Sequence, residues 1–215
     1  PIHVCIIEAM GRNAGWITAA SALARRRPGD APHLIYLPET PFDEEAFLRD
    51  VAQLHRRLGG VVVVASEGLK NKDGKPIVPP IFQTGRATYY GDVSAYLAQL
   101  VIQKLGIKAR SEKPGLLGRA QTELQSPVDR DEAALAGAEA TRALAQGQGG
   151  IMSGFERLST SPYRIRLIRI PLESVMLKER TLPRDYIAPG ENDVTDAFVQ
   201  WARPLIGEEL PRYFE

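Results

Sequence analysis

Ile2-His3-Val4-Cys5-Ile6-Ile7-Glu8-Ala9-Met10-Gly11-Arg12-Asn13-Ala14-Gly15-Trp16 is the stretch on which the fold turns. Its nearly continuous apolar run over residues 2–9 predicts a strand buried on both faces, as in a parallel sheet covered by helices. Cys5, inside that run, reads as a buried small hydrophobe. The glycine-bearing stretch 11–15 predicts a loop. Residues 16–27 carry helix-forming Ala and Leu and end in Arg25-Arg26-Arg27, which suits a solvated helix C-terminus.

The same alternation continues outward. Residues 27–30 read as a turn and 33–37 as a second short strand. Asp43 is placed to cap a helix over Glu44–Leu58, with acidic residues in its first turn and Gly59-Gly60 ending it. Residues 61–65 predict a third strand, stopping at Ser66-Glu67-Gly68. Strand, helix, strand, helix, strand implies parallel strands with helices on both faces. Beyond, 69–90 is less regular, with a hairpin or loop at 71–76 and a breaker at Pro79-Pro80. A helix over Val93–Leu105, a strand and loop over 109–119 and a long Ala-rich helix over Pro127–Ala145 follow. Strands are expected at 150–156 and, half-exposed, at 163–170. Asp193 is a candidate cap for a helix over 194–202, and 204–214 closes the chain. The predicted class is a three-layer α/β/α domain with a mostly parallel sheet and a C-terminal helical extension, divided as 1–147 and 148–215.

Composition narrows the function. The 215 residues carry 27 Lys+Arg against 26 Asp+Glu, a net charge of +1 that makes no electrostatic case for nucleic acid or an anionic membrane. A single cysteine excludes an internal disulfide framework and a multi-cysteine zinc site, and fits a reducing compartment. No apolar run approaches the roughly 20 residues a membrane helix needs. The first residues read as a strand rather than as a signal peptide, which predicts a soluble, cytoplasmic protein. Opening on Pro1 and passing at once into a core strand predicts a piece of a longer chain, with material upstream.

Ligands of parallel sheets bind beyond the carboxyl ends of the strands. Met10-Gly11-Arg12 follows the first strand, and its glycines and free N–H groups suit an anion or sugar hydroxyls, or else Arg12 stands in solvent at an ordinary turn. Glu67, ending the third strand, either accepts from sugar hydroxyls or is simply solvated. Arg110 and Arg119 bracket Lys113-Pro114-Gly115. The planar fork of arginine suits a phosphate, while loop arginines also serve as plain soluble surface. His3, His33 and His55 show no metal-ligand spacing, and none of the common nucleotide-phosphate loops is present.

Glu8-Ala9-Met10-Gly11-Arg12-Asn13-Ala14-Gly15-Trp16 resembles the signature of the phosphofructokinases. Ser66-Glu67-Gly68, the run from Arg110 to Gln121, and Ser126-Pro127-Val128-Asp129-Arg130 continue the resemblance in order over more than half the chain. The tail, with Ser161-Pro162-Tyr163 and Pro171-Leu172-Glu173-Ser174-Val175, is more similar to the pyrophosphate-dependent enzymes than to the ATP-dependent bacterial type. The resemblance implies that Met10, Gly11 and Arg12 hold fructose 6-phosphate, with Arg12 also near the transferring phosphoryl. It implies that Glu67 binds a sugar hydroxyl, that Arg119 lies at the 6-phosphate, and that Arg110 reaches a neighbouring subunit's site. A homo-oligomer is therefore implied, as is a role in glycolysis.

The chain also departs from the family pattern. Where bacterial ATP-type members carry Leu-Gly-His-x-Gln-Arg, this chain reads Leu117-Gly118-Arg119-Ala120-Gln121-Thr122. Arg119 then stands at the histidine position, with Gln121 matching and Thr122 at the clamp arginine. A second register, counted from Arg110, makes Arg119 the clamp itself. The first is preferred because Leu117, Gly118 and Gln121 all match. His3 stands where a cross-subunit arginine is expected. The donor loop, the Mg2+-binding aspartate and the catalytic base are implied upstream of Pro1, so no catalytic or metal-binding residue is expected here and the chain alone is expected to be inactive. An ATP-dependent kinase and a non-catalytic phosphosugar-binding module are the alternatives, beside a purely structural α/β domain.

Overall fold

Alternating apolar residues build one side of a parallel sheet. In the computed structural model, which describes residues 3–85 and 87–207, the first part of the chain runs β1 (Val4–Ala9), α1 (Trp16–Ala20), β2 (Leu34–Tyr36), α2 (Glu44–Leu58), β3 (Val61–Ser66), β4 (Pro80–Thr84), β5 (Ala87–Tyr90), α3 (Val93–Leu105), β6 (Ala109–Glu112) and α4 (Leu117–Ala120). Four strands form a parallel sheet ordered β2-β3-β1-β6. The chain leaves β1 toward one side and comes back through α3 to the other, so the carboxyl end of β1 is a switch point. Expectations for Ile2 and for the residues beyond 207 lie outside the described residues.

Register assigns the two faces. Val4 pairs with Val61, Ile6 with Val63 and Glu8 with Ala65, while Leu34 and Tyr36 pair with Val63 and Ala65. Apart from Glu8 these residues join Phe47 and Val51 of α2 and Val93, Leu97 and Val101 of α3 in one buried cluster. On the other face α1 packs on β2 and β3, over the buried Ile35 and Val64. The architecture is thus α/β, with helices on both faces of a mostly parallel sheet. The apolar run of β1 is not buried on both sides as expected. Val4, Ile6 and Glu8 are buried, whereas Cys5, Ile7 and Ala9 are intermediate. Cys5 pairs with Arg110 in β6, and its thiol is only partly covered.

Helix ends show where local chemistry wins. The Asp43 carboxylate accepts from the Ala46 N–H at 2.8 Å and Gly59 closes α2, both as predicted. The first helix is shorter than expected: α1 ends at Ala20, a 3-10 turn covers Ser21–Ala24, and Arg25 is already extended. The Asp30 carboxylate takes the N–H groups of Arg26 and Arg27, fixing a turn in place of further helix. Arg25 is not a solvated cap. Its guanidinium makes two 2.9 Å bonds to Asp193 and donates to the Pro32 carbonyl. Asp193 is thereby occupied, and the helix expected from 194 begins at Asp196, with the Thr195 hydroxyl 3.5 Å from the Phe198 N–H.

The irregular stretch 69–90 contains an antiparallel hairpin of β4 and β5, in which Pro80 opens a strand and is not merely a breaker. The chain groups into two compact units, drawn differently from the expected division at 147/148. One runs through Arg119 and includes Thr181–Phe198; the other takes Ala120–Arg180 and the residues from Val199. Within the second, α5 (Pro127–Ala145) starts on a Ser126 cap and packs on β7 (Ile151–Thr160), which pairs antiparallel with β8 (Tyr163–Pro171) before the short α6 (Leu172–Val175). Tyr163 donates to Glu132 at 2.6 Å and Arg169 to Glu139 at 2.7 Å. Hydrogen bonds and ion pairs tie α5 to the hairpin, because Ala143 is the one α5 residue recorded as buried. Among the described residues the last α-helix is α7 (Asp196–Ala202).

Candidate functional site at the carboxyl ends of the strands

The turn after β1 is held by two carboxylates, one just past β3 and one beyond β2. Glu67, just past β3, accepts the Gly11 N–H at 3.1 Å, and the Ser66 hydroxyl donates to the Gly11 carbonyl at 2.9 Å. Glu39, beyond β2, accepts the Gly15 N–H at 2.8 Å. Glu67 also donates its own N–H to the Ala9 carbonyl. Parallel pairing therefore brings 8–12 and 66–68 together, though they are more than 50 residues apart in sequence. Two glycines are required here. Gly11 has φ +120°, where side chains are strained, and a Cβ on Gly68 would stand 1.7 Å from the Arg12 carbonyl oxygen.

This turn borders a cavity of about 520 Å3, lined among others by Glu8, Arg12, Glu67, Lys70, Tyr90 and Lys113. That volume suits a small polar metabolite. The lining is charged, with cationic Arg12, Lys70 and Lys113 set against Glu8 and Glu67. Lys70 donates to Asn13 at 3.3 Å, which leaves its charge at the cavity. Glu8 is buried, and one oxygen accepts the Ser94 N–H at 3.0 Å while the other meets Lys113 at 2.9 Å. Lys113 also bonds Asp92, and its pKa is raised, first by that bond and further by Glu8.

Of the residues expected at a site, Met10, Gly11, Arg12 and Glu67 converge at this end of the sheet, and Arg119 joins them. Its Nε lies 2.7 Å from Met10 Sδ. Gln121 and Thr122 fall in the second compact unit, exposed at the start of a 3-10 turn. His3 and Arg110 are not with them. His3 precedes β1, its Nδ1 3.4 Å from the Gly59 carbonyl and its ring edge-on to His55. Arg110 pairs in register with Cys5 near that same end, exposed and 3.7 Å from Glu112. Sequence reasoning missed Glu8, Glu39, Lys70 and the Lys113 pairing. Glu8 had a signal, since an ionisable residue inside a strand predicted to be buried demands a partner. The partners of Glu39 and Lys70 come from sequence positions that no local pattern links.

The phosphofructokinase family model matches residues 2–144. The chain is 37% identical to a protein named pyrophosphate–fructose 6-phosphate 1-phosphotransferase from Xanthomonas campestris, over 97% of this chain and 50% of that one. A protein of the same name from Rhodospirillum rubrum is 36% identical over 94% of this chain and 52% of that one. The crystal structure of a pyrophosphate-dependent phosphofructokinase from Marinobacter aquaeolei superposes with a TM-score of 0.83 at 33% identity, covering 100% of this chain and 50% of that one. The chain spans about half the length of the relatives it matches.

Proposed function

The chain belongs to the phosphofructokinase family, and from that premise we propose that it is the fructose 6-phosphate-binding portion of a pyrophosphate-dependent 6-phosphofructokinase. Met10, Gly11 and Arg12 hold the sugar, Glu67 accepts from one of its hydroxyls, and Arg119 meets the 6-phosphate. His3 and Arg110 serve the site of a neighbouring copy in a homo-oligomer. The whole protein moves a phosphoryl group from pyrophosphate to the sugar's 1-hydroxyl, as a glycolytic enzyme of the cytoplasm. The relatives' names favour pyrophosphate over ATP as donor. No helix among the described residues is long and apolar enough to cross a membrane.

The observation that carries this reading is the Glu67–Gly11 clamp, which seats Arg12 on the rim of the 520 Å3 cavity. Phosphoryl transfer is accelerated mainly by positioning and by neutralising charge. Arg12 and Arg119 supply planar donors for phosphoryl oxygens, and Glu67 fixes the turn from which Arg12 projects. In the whole protein Mg2+ would neutralise charge on the phosphoryl donor. Among the described residues no group of three or more His, Cys, Asp or Glu is placed to hold a metal ion, so these residues do not fit the ion and carry none of its chemistry. The chain by itself binds substrate without turning it over.

Calorimetric titration tests this directly. Fructose 6-phosphate binds, plain fructose binds far more weakly, and Arg119→Ala removes the phosphate-dependent part. Absence of binding at millimolar fructose 6-phosphate overturns the assignment of the site to this chain. Turnover by the 215-residue chain with pyrophosphate or ATP overturns its assignment as a binding portion only.

A further inference from the structure

Lys113 and Arg119 bound one short loop, whose start is fastened to β1 and whose end is fastened to the turn just beyond it. At its start, Lys113 Nζ lies 2.9 Å from Glu8 Oε1. At its end, Arg119 lies against Met10, two residues beyond Glu8 and the first residue of the turn that follows β1. Between them the backbone is locked by near-neighbour bonds, from the Leu117 N–H to the Pro114 carbonyl at 3.1 Å and from the Arg119 N–H to the Leu116 carbonyl at 2.9 Å. These two turns keep the link between Lys113 and Arg119 compact.

The anchor itself is well determined. The Glu8 side chain is only 3% exposed, and a buried carboxylate must be paired and hydrogen-bonded to remain charged. Its second oxygen holds the Ser94 N–H in the first turn of α3. Asp92, at the α3 cap position, makes no side-chain capping bond and turns its carboxylate to Lys113 instead. Lys113 thus ties β1, the start of α3 and the Arg119 loop together at one ammonium. We infer that Lys113 is a positioning residue for phosphate binding: through Glu8 and Asp92 it sets the loop that presents Arg119 to the 6-phosphate of the sugar. This rests on the reading of Arg119 given above.

A double-mutant cycle on the 215-residue chain, read as the calorimetric Kd for fructose 6-phosphate, tests it. Lys113→Met weakens binding about tenfold, Lys113→Arg restores it to within about threefold, and in an Arg119→Ala background Lys113→Met adds less than about twofold. A merely structural lysine would weaken binding by the same factor in both backgrounds, and that result overturns the inference, as does an unchanged Kd in Lys113→Met. The pair Glu8→Gln/Lys113→Met leaves no unpaired buried charge, so it keeps the fold and carries the same expectation. If the unsubstituted chain binds but Arg119→Ala has no effect, the role of Arg119 fails and the inference with it. An Arg119→Ala loss without the Lys113 coupling sinks the inference alone.

Discussion

The two ends of β1 are built on different principles. At its carboxyl end, main chain approaches main chain so closely that Gly68 has no room for a Cβ, and carboxylates just past β3 and beyond β2 grip the Gly11 and Gly15 amides. At its amino end, His3 meets Gly59 and His55 loosely, a Cβ on Gly60 would find its nearest atom at 3.9 Å, and Arg110 is exposed. Parallel strands with their connections diverging at one end leave a cleft there, and the opposite end is free of that constraint. The lesson is that residues of one sequence signature divide by strand end. Those at the carboxyl end border the cavity, and those at the amino end stand away from it.

The largest expected effect is steric. Gly68→Ala forces a methyl into the Arg12 carbonyl and costs about 3 kcal/mol, while Gly60→Ala, at the other end of β3, stays within about 0.5 kcal/mol. Urea denaturation of the two variants measures this, and equal effects would break the contrast between the ends. The next concerns binding. Arg12→Ala weakens fructose 6-phosphate binding by about 2 kcal/mol, roughly 30-fold, as for loss of a charged hydrogen bond. Arg110→Ala leaves the affinity of dilute chain within about twofold and lowers it only where chain concentration drives association. Titrations at two chain concentrations sharpen the comparison, and a loss in dilute Arg110→Ala would place that residue in its own chain's site.

The smallest effect is a pH dependence at the amino end. His33 Nδ1 accepts the Val62 N–H at 2.8 Å, and burial lowers the pKa of the ring below its ordinary value. The unfolded chain then binds the proton more readily than the folded one, so stability rises with pH and is lost as pH falls through the ordinary histidine range near about 6.5. Melting temperatures measured from pH 8 to 5 should decline, and His33→Gln should flatten that decline. A decline as steep in His33→Gln would assign it to the carboxylates instead.

Much of the fold was legible because it is written in short-range physics. Asp43 and Gly59 mark the ends of α2, the Ala-rich run makes α5, and the apolar run makes β1, each from residues within a turn or a strand of one another. The failures are equally specific. Arg25 looked like a helix-end cation because its partner, Asp193, is 168 residues away. The hairpin of β4 and β5 was hidden because Pro80 reads locally as a breaker, although a proline can open a strand where no ladder N–H is needed.

By itself, the sequence determined the order of strands and helices, the glycine turn after β1 and the family signature, since these rest on backbone propensity and residue identity along one segment. Only the tertiary structure decided that Glu67 clamps Gly11, that buried Glu8 takes Lys113, and that His3 and Arg110 stand away from Arg12. Those relations are set by strand order and register, which bring distant residues within hydrogen-bonding reach and are not encoded in any single stretch of chain.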